Sequence, residues 1–593
     1  MKKKDHIFDF CVIGGGVAGM CAAIAASRCG LRTALIHDRP VLGGNASSEI
    51  RMWICGADRG TGSGFRETGL IEEIELENMY RNPMRNYSLW DSLLYEKVRY
   101  QKNLEIFLNC SVNSAETSGK NRSGKIKNKT ARTEEKIQTV TAWQMTSETW
   151  HTFTADYFAD CSGDAILASL TSAECRIGRE ARSEFNESIA PAKSDTKTMG
   201  MSCLFQLRET KTPQKFIPPH WANKYESDED LPLRGHTVPG NNFWWLELGG
   251  EEDSIHDTEV LRDRLLGAAM GVWDHIKNKG NHGAENWELD WIGFVPGKRE
   301  SRRYTGDYII TQNDVEAGGK FDDIVAYGGW PMDDHNPAGL LCPGAPTIFH
   351  PAPQPWGIPF RSLYSKNISN LFFAGRNISA THSAMSSSRV MRTCAVMGEA
   401  VGNAAFIAKK NHTSPRGVYK SHIRELQQKL MDNDCYLPGL TRAVPEMTLN
   451  ASIKSTEGNT LELITGKDRP IGNEKNFFEI SPEQAIEYSF ATEKKVSEIR
   501  VCFDSDFSRL PSDFRQRCDY PLNQTPVTVA ASLVRNFRVE TLENNTWKTV
   551  YSKKDNCQRF YIIPLDLVTH AIRIIPETTW GAEKARLYRF DVR

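Results

Sequence analysis

The sequence predicts an α/β nucleotide-binding fold with an inserted α+β domain, followed by a C-terminal antiparallel β-sandwich of jelly-roll type. Three observations predict it. Residues 8–36 read as strand, glycine turn, helix, strand; residues 370–408 repeat a strand, a glycine and a small-residue helix; and short alternating apolar runs fill the chain after residue 449.

The first unit is justified residue by residue. Phe8 to Ile13 is a short apolar strand that runs into Gly14-Gly15-Gly16-Val17-Ala18-Gly19. Met20 to Ser27 is small, apolar and helix-prone, and Leu31 to Ile36 supplies the next parallel strand. The glycines fit G-x-G-x-x-G. Gly14 permits the tight turn, Gly16 lets the backbone approach a pyrophosphate, and Gly19 lets the helix pack on the strand, with the helix N-terminus facing the phosphates. This is a Rossmann-like dinucleotide site, to which Val17 and Ala18 belong. The second strand ends in Ile36-His37-Asp38-Arg39, where a ribose-binding acid is expected. Either Asp38 reaches the ribose, or backbone and His37 do; a contribution from both His37 and Asp38 is expected.

Leu42 to Glu49 (LGGNASSE) follows, with Gly43, Gly44, Asn45 and Ser48 able to lie against a phosphate or ribityl chain. Residues 103–112, 137–145 and 152–159 read as three strands of a meander, with Val112 placed beside the cofactor. Between the first two, residues 120–132 hold six basic residues and no acid, which reads as a solvated hairpin tip. The third strand ends in Ser162-Gly163-Asp164. Asn370 to Ala374 is a buried-strand pattern running into Gly375-Arg376, and Ser386 to Ala408, with Arg389, reads as one helix whose N-terminus faces the ligand.

Composition narrows the classes. The 593 residues suit two to four domains. Lys and Arg total 73 against 74 Asp and Glu, a net charge of −1 that argues against nucleic-acid or membrane-surface binding. No apolar run approaches the roughly 18 residues of a spanning helix. None of the 14 cysteines is spaced as CxxC, so neither an iron–sulfur cluster nor any other metal site is expected. The N-terminus shows no signal peptide. A cytoplasmic protein is expected, periplasmic if a native signal peptide has been removed.

GGGVAG, LGGNASSE, the strand end DCSGDAILA, RESRRYTGDYIIT at 299–311 and NLFFAGRNISATHSAMSSSRVMRTCAVMGEAVGNAA at 370–405 occur in this order. Together they resemble the FAD-dependent oxidoreductases of the glutathione-reductase-like superfamily, and within it the group found beside bacterial polysaccharide-degrading enzymes. The resemblance covers about residues 5–410. It implies FAD bound extended, with its adenine end at the N-terminal unit, Asp164, Gly375 and Arg376 along the cofactor, and the segment around His382 near the isoalloxazine. Iron–sulfur relatives exist, but their cysteine ligands are absent here. The predicted order is 1–169 and 334–412 for the two parts of the FAD-binding domain, 170–333 for an inserted substrate domain, 413–448 for a helical linker, and 449–593 for a sandwich similar to discoidin or galactose-binding-like modules.

The insert and its border hold Trp221, Trp244, Trp245, Trp273, Trp287, Trp291, Trp330 and Trp356. Singly each suits a core; as a set they favour a ring-shaped, saccharide-like substrate. Arg299, Arg302 and Arg303 either bind a substrate carboxylate or brace the flavin domain. His382 is the candidate general base, with His350 and His335 as rivals; Arg303, His350 and His382 form the catalytic set. The expected function is hydride transfer from a C–H bearing a hydroxyl or amine, on a small or saccharide-like substrate, to flavin N5. The alternative is a glycan-binding protein that retains an idle flavin fold. No second GxGxxG is present, so no separate NAD(P)H domain is expected, and self-association is left open.

Overall fold

Strand β1 (Lys2–Ile13) starts exposed and ends in four buried residues, and that apolar end is what a central parallel strand needs. In the computed structural model, which describes residues 1–58, 64–118, 135–458 and 460–593, β1 pairs in parallel with β2 (Thr33–Ile36) on one side and β6 (Thr149–Asp160) on the other. With β3 (Leu104–Phe107), β4 (Cys110–Thr117) and β5 (Ile137–Gln144) the sheet order is β3-β2-β1-β6-β5-β4. Strand β7 (Leu371–Phe373) also pairs in parallel with β6. The single run expected at 103–112 is therefore two strands. Asn109, at φ 51°, breaks it, so β3 extends the parallel sheet while β4 opens an antiparallel meander with β5 and β6. The basic stretch 120–132 lies outside the described residues.

Helix α1 (Val17–Arg28) covers this sheet and is buried on nearly every face. It packs against a late helix, and small residues make that approach possible. The region expected to be one helix from Ser386 is α2 (His382–Ser388) and α3 (Met391–Lys410), separated at Arg389–Val390. A Cβ on Gly398 would stand 2.0 Å from the Ala18 carbonyl oxygen, and one on Gly402 2.3 Å from that of Ala22.

The insert is built on the helix Thr258–Asp274 and the strands Phe205–Glu209 and Trp287–Ile292, around a core containing Phe205, Phe243, Trp245, Leu265, Trp273 and Trp287. By chain contacts, residues 1–59, 84–427 and 515–525 form one unit, and 60–83, 428–514 and 526–593 a second. Residues 60–83 thus group with the C-terminal part, not with the first FAD-binding segment, and 515–525 group with the first unit. There Asp519–Tyr520 pairs in parallel with Phe205–Glu209.

The second unit is β-rich: seven strands share one hydrogen-bonded set, with pairings that are antiparallel throughout. The apolar runs 485–490 and 496–503, and likewise 559–563 and 571–575, read in sequence as separate short strands but are joined in the long strands Ile486–Phe503 and Phe560–Thr579, whose mutual register shifts between the runs. Leu461–Ile464 is a 3₁₀ turn, and 527–533 is not a strand. Alternating residues such as Ile486, Tyr488, Ile499, Val501, Ile572 and Ile574 fill its core. Among the described residues no helix is long and apolar enough to cross a membrane.

Candidate functional site

The glycine turn sits between the ends of β1, β2 and β6, where parallel strands leave a crevice outside their carboxyl ends. Gly14 has φ +103°, and a Cβ there would lie 2.4 Å from the Cys161 carbonyl oxygen, so only glycine fits. Gly19 is needed for a different contact: its Cβ would fall 1.8 Å from the Gly14 oxygen. Gly16, in contrast, has open space where a side chain would go, with only the Gly44 Cα at 4.0 Å. Gly43 and Gly44, at φ +105° and +58°, lie alongside, and the Gly43 amide donates to the Gly15 oxygen at 2.9 Å. Helix α1 begins at Gly16 with no side-chain cap and no acidic residue in its first turn, so its N-terminal N–H groups face this opening uncompensated.

An open cleft of about 1110 Å³ follows. Its wall includes Gly14, Gly16, Val17 and Ala18; His37 and Asp38; Gly43, Gly44 and Asn45; Val112; Ser162, Gly163 and Asp164; and Gly375, Arg376 and Arg389. Three expected contributors are off this wall. Gly19 packs behind it, the Ser48 amide donates to Asp91 Oδ1 at 3.1 Å, and the Ser386 hydroxyl donates to the Ser383 oxygen at 2.6 Å within α2.

His37 lines the cleft but has both ring nitrogens engaged. The Gly15 amide can only donate, so it fixes Nδ1 as an acceptor at 3.0 Å; the Val41 carbonyl can only accept, so Nε2 carries the proton at 3.0 Å. Burial lowers its pKa, which keeps the ring neutral. His37 therefore braces the glycine turn, and a Cβ on Gly15 would stand 2.6 Å from its Cγ. That leaves the exposed Asp38 as the polar group at the ribose position. Gly15 was missed in the sequence because its reason, a ring stacked against it, lies 22 residues away.

Further along the wall, Asp164 accepts from Arg376 Nη2 at 2.8 Å, Ser301 Oγ at 2.7 Å and Lys298 Nζ at 2.9 Å. Burial would raise its pKa, but Arg376 and Lys298 outweigh that and hold the carboxyl well below the usual range. Arg389 reaches Asp333 Oδ2 at 2.9 Å, while its buried Nε has no hydrogen-bond partner. A second, smaller cavity shares Asn45, Arg376 and Arg389 with the first. It adds Ile50, Met52, Ser202, Leu204, Lys298 and Arg299, so four cationic side chains but no carboxylate or imidazole lie on its wall.

The expected catalytic residues are not on either wall. His382 is the first residue of α2, with Nδ1 2.8 Å from Glu300 Oε2 and Nε2 3.0 Å from Asp334 Oδ1. Burial opposes the charged ring, but the two carboxylates outweigh it and push the pKa up to about 10. The two carboxylates thus favour the charged ring at neutral pH, which stands against the role of base expected for His382. Arg303 is fully buried, and its three nitrogens reach Glu300, Glu180 Oε1 at 2.8 Å, the Gly178 oxygen at 2.7 Å and the Ala380 oxygen at 3.0 Å. It braces: four of its five N–H groups are taken by protein oxygens, and the side chain is fully buried. His335 has Glu247 and Asp333 at its two nitrogens, 2.6 and 3.3 Å away. His350 ends the strand Thr347–His350, beside Asp334. The tryptophans also divide against expectation: Trp245, Trp273, Trp287 and Trp356 are buried in cores, Trp291 stacks on Arg51 at 4.3 Å, and none lines either cavity.

The cradle fits FAD on three counts: the void beside Gly16, the uncapped N-terminus of α1, and the unpartnered Nε of Arg389. Comparison with known proteins agrees. The FAD dependent oxidoreductase family matches residues 9–430. The chain belongs to that family. Membership makes the protein an FAD-dependent oxidoreductase enzyme. No curated protein matches the chain. Solved structures similar to part of it are carbohydrate-binding modules. The family 32 module of Streptococcus pneumoniae EndoD is 12% identical, covering 26% of this chain and 97% of its own, at TM-score 0.19. The chitosan-binding module 1 of a chitosanase/glucanase from Paenibacillus sp. IK-5 is 10% identical, covering 25% and 97%, at 0.18. The family 32 module of C. perfringens NanJ, solved with galactose, is 11% identical, covering 24% and 94%, at 0.17.

Proposed function

We propose that this FAD-dependent oxidoreductase removes hydride from a C–H bearing a hydroxyl or amine on a small or saccharide-like substrate held in the second cavity, the hydroxyl or amine proton passing to solvent through the open first cleft. The observation that carries the reading is that Asn45, Arg376 and Arg389 line both cavities, so that a smaller, cation-lined space adjoins the glycine cradle. When bound, FAD supplies a hydride acceptor at N5. Gly16, Gly44 and the N-terminus of α1 hold the pyrophosphate, and Asp38 meets the ribose. Arg376, fixed by Asp164, and Arg389, fixed by Asp333, supply positive charge where the two cavities meet, which favours negative charge developing on the reacting groups. Ile50, Met52 and Leu204 exclude water, and Ser202, whose hydroxyl donates to the Trp244 oxygen and accepts from Arg299, holds that arginine in the wall. Lys298 and Arg299, each paired with one carboxylate, orient substrate oxygens.

In this reading the domains are as the motif order suggests, a flavin fold of the glutathione-reductase-like type interrupted by a substrate domain, and the second unit is a galactose-binding-like sandwich. The placement beside polysaccharide-degrading enzymes rests on the order of the five motifs.

The test is anaerobic mixing of purified protein with free and oligomeric sugars, sugar acids and amino sugars, while the visible flavin band is followed. Rapid bleaching by one class is expected. A flavin-loaded protein bleached by no member of the panel, yet binding one of them, favours the idle-flavin alternative.

A further inference from the structure

We infer a tetrahedral transition-metal site, of the kind zinc occupies, within the inserted part of the first unit, formed by Asp228, His236, His275 and His282. No metal is expected from the sequence. These four side chains converge from separate stretches: Asp228 from a 3₁₀ turn, His236 from the loop after it, His275 from the end of the helix Thr258–Asp274, and His282 from the loop beyond. One nitrogen of each histidine and one carboxylate oxygen all lie within 4.8 Å of one another.

The spacing is that of ligands about one ion. Asp228 Oδ1 is 3.0 Å from His275 Nε2, 3.3 Å from His282 Nε2 and 3.5 Å from His236 Nδ1, and the two Nε2 atoms are 3.2 Å apart. With zinc–nitrogen and zinc–oxygen bonds of about 2.0–2.1 Å, the edge of a coordination tetrahedron is about 3.3 Å.

Proton placement points the same way. His275 Nδ1 lies 3.2 Å from the Tyr225 carbonyl, which can only accept, so Nδ1 carries the hydrogen and Nε2 of the neutral ring presents a lone pair. That lone pair faces a carboxylate oxygen and a second imidazole nitrogen. A backbone carbonyl orienting the far nitrogen is the usual support for a metal-binding imidazole. The three histidine side chains are 1–14% exposed, while Asp228 is 69% exposed, so the site is set in the protein and reached from solvent through its carboxylate. Three neutral imidazoles and one carboxylate suit a borderline divalent ion better than calcium or magnesium, which take oxygen. Four protein ligands make it a structural clamp, tying the loop 228–236 to the end of the long helix.

The experiment uses full-length, untagged holoprotein. After dialysis against a weak chelator, elemental analysis should find about one zinc per chain. Stripped protein should rebind Co²⁺ with the intense visible absorption of tetrahedral coordination. His282→Gln should weaken Zn²⁺ binding by at least about 100-fold, beyond the 10–100-fold that loss of an outer-shell partner costs. Asp228→Asn, an exposed and nearly isosteric change, should weaken binding without unfolding, with FAD content unchanged. Failure of the stripped protein to bind Zn²⁺ or Co²⁺, or equal binding by wild type and both variants, overturns the site.

Discussion

His382 shows how far a residue type can mislead. An imidazole just before a helix near a cofactor reads as a base in sequence, but the two carboxylates that cancel this role come from Glu300 and Asp334, far along the chain. Because its pKa is raised in the folded protein, its contribution to stability is fully present below the unfolded value near 6.5 and is lost as pH rises toward about 10. Glu300 and Asp334 stay ionised across that window, their pKa values being lowered despite burial, by His382 among others. His382→Gln, which leaves Glu300 buried beside one fewer cation, should cost about 3–5 kcal/mol at pH 6. The wild-type advantage should shrink steadily between pH 6.5 and 10 in chemical denaturation. A gap that stays constant over that range would show that His382 is not held as a cation. The glycine motif was legible because its spacing falls within six consecutive residues; the states of His37, Arg303 and His382 were not, because each is set by partners distant in sequence.

At the scale of elements, the glycine turn separates two kinds of requirement that the motif alone does not. Gly16 has an ordinary φ of −67° and open space beside it, so Gly16→Val should give a folded protein that has lost FAD. Gly19→Ala should instead disturb the turn, since the added carbon meets backbone; destabilisation of about 1–3 kcal/mol is the usual cost of such overpacking and often the lower bound. Flavin fluorescence after gel filtration, with circular dichroism on the same samples, distinguishes them. Full FAD occupancy in Gly16→Val would remove the pyrophosphate from this turn. The strands of the parallel sheet were legible from apolar runs, whereas the merged strands Ile486–Phe503 and Phe560–Thr579 were not. Polar stretches such as 491–495 read as turns, and in the structure they are where the ladder between the two long strands shifts register rather than where the strands end.

At the scale of the molecule, the two units are interleaved in sequence. Because 515–525 belong to the first unit and 60–83 to the second, a chain ending at 449 would lose Asp519–Tyr520 from its place beside Phe205–Glu209 and deprive Leu70–Arg81 of its own unit. Such a truncation should be poorly soluble, whereas a single cut between the last cofactor motif and the sandwich would be harmless if the units were consecutive. Soluble expression of residues 1–449 with normal FAD content would refute the interleaving.

The same connectivity sets a timetable for synthesis. Residues 60–83 leave the ribosome early, but the rest of their unit starts only at 428. At 5–20 residues per second the wait is on the order of 20–70 s. Throughout it the unit that holds Leu70, Ile71, Ile74 and Leu76, all buried in the finished protein, is incomplete. The nascent chain thus carries an amphipathic segment, Leu70–Arg81, whose unit is not complete until the C-terminal third is made.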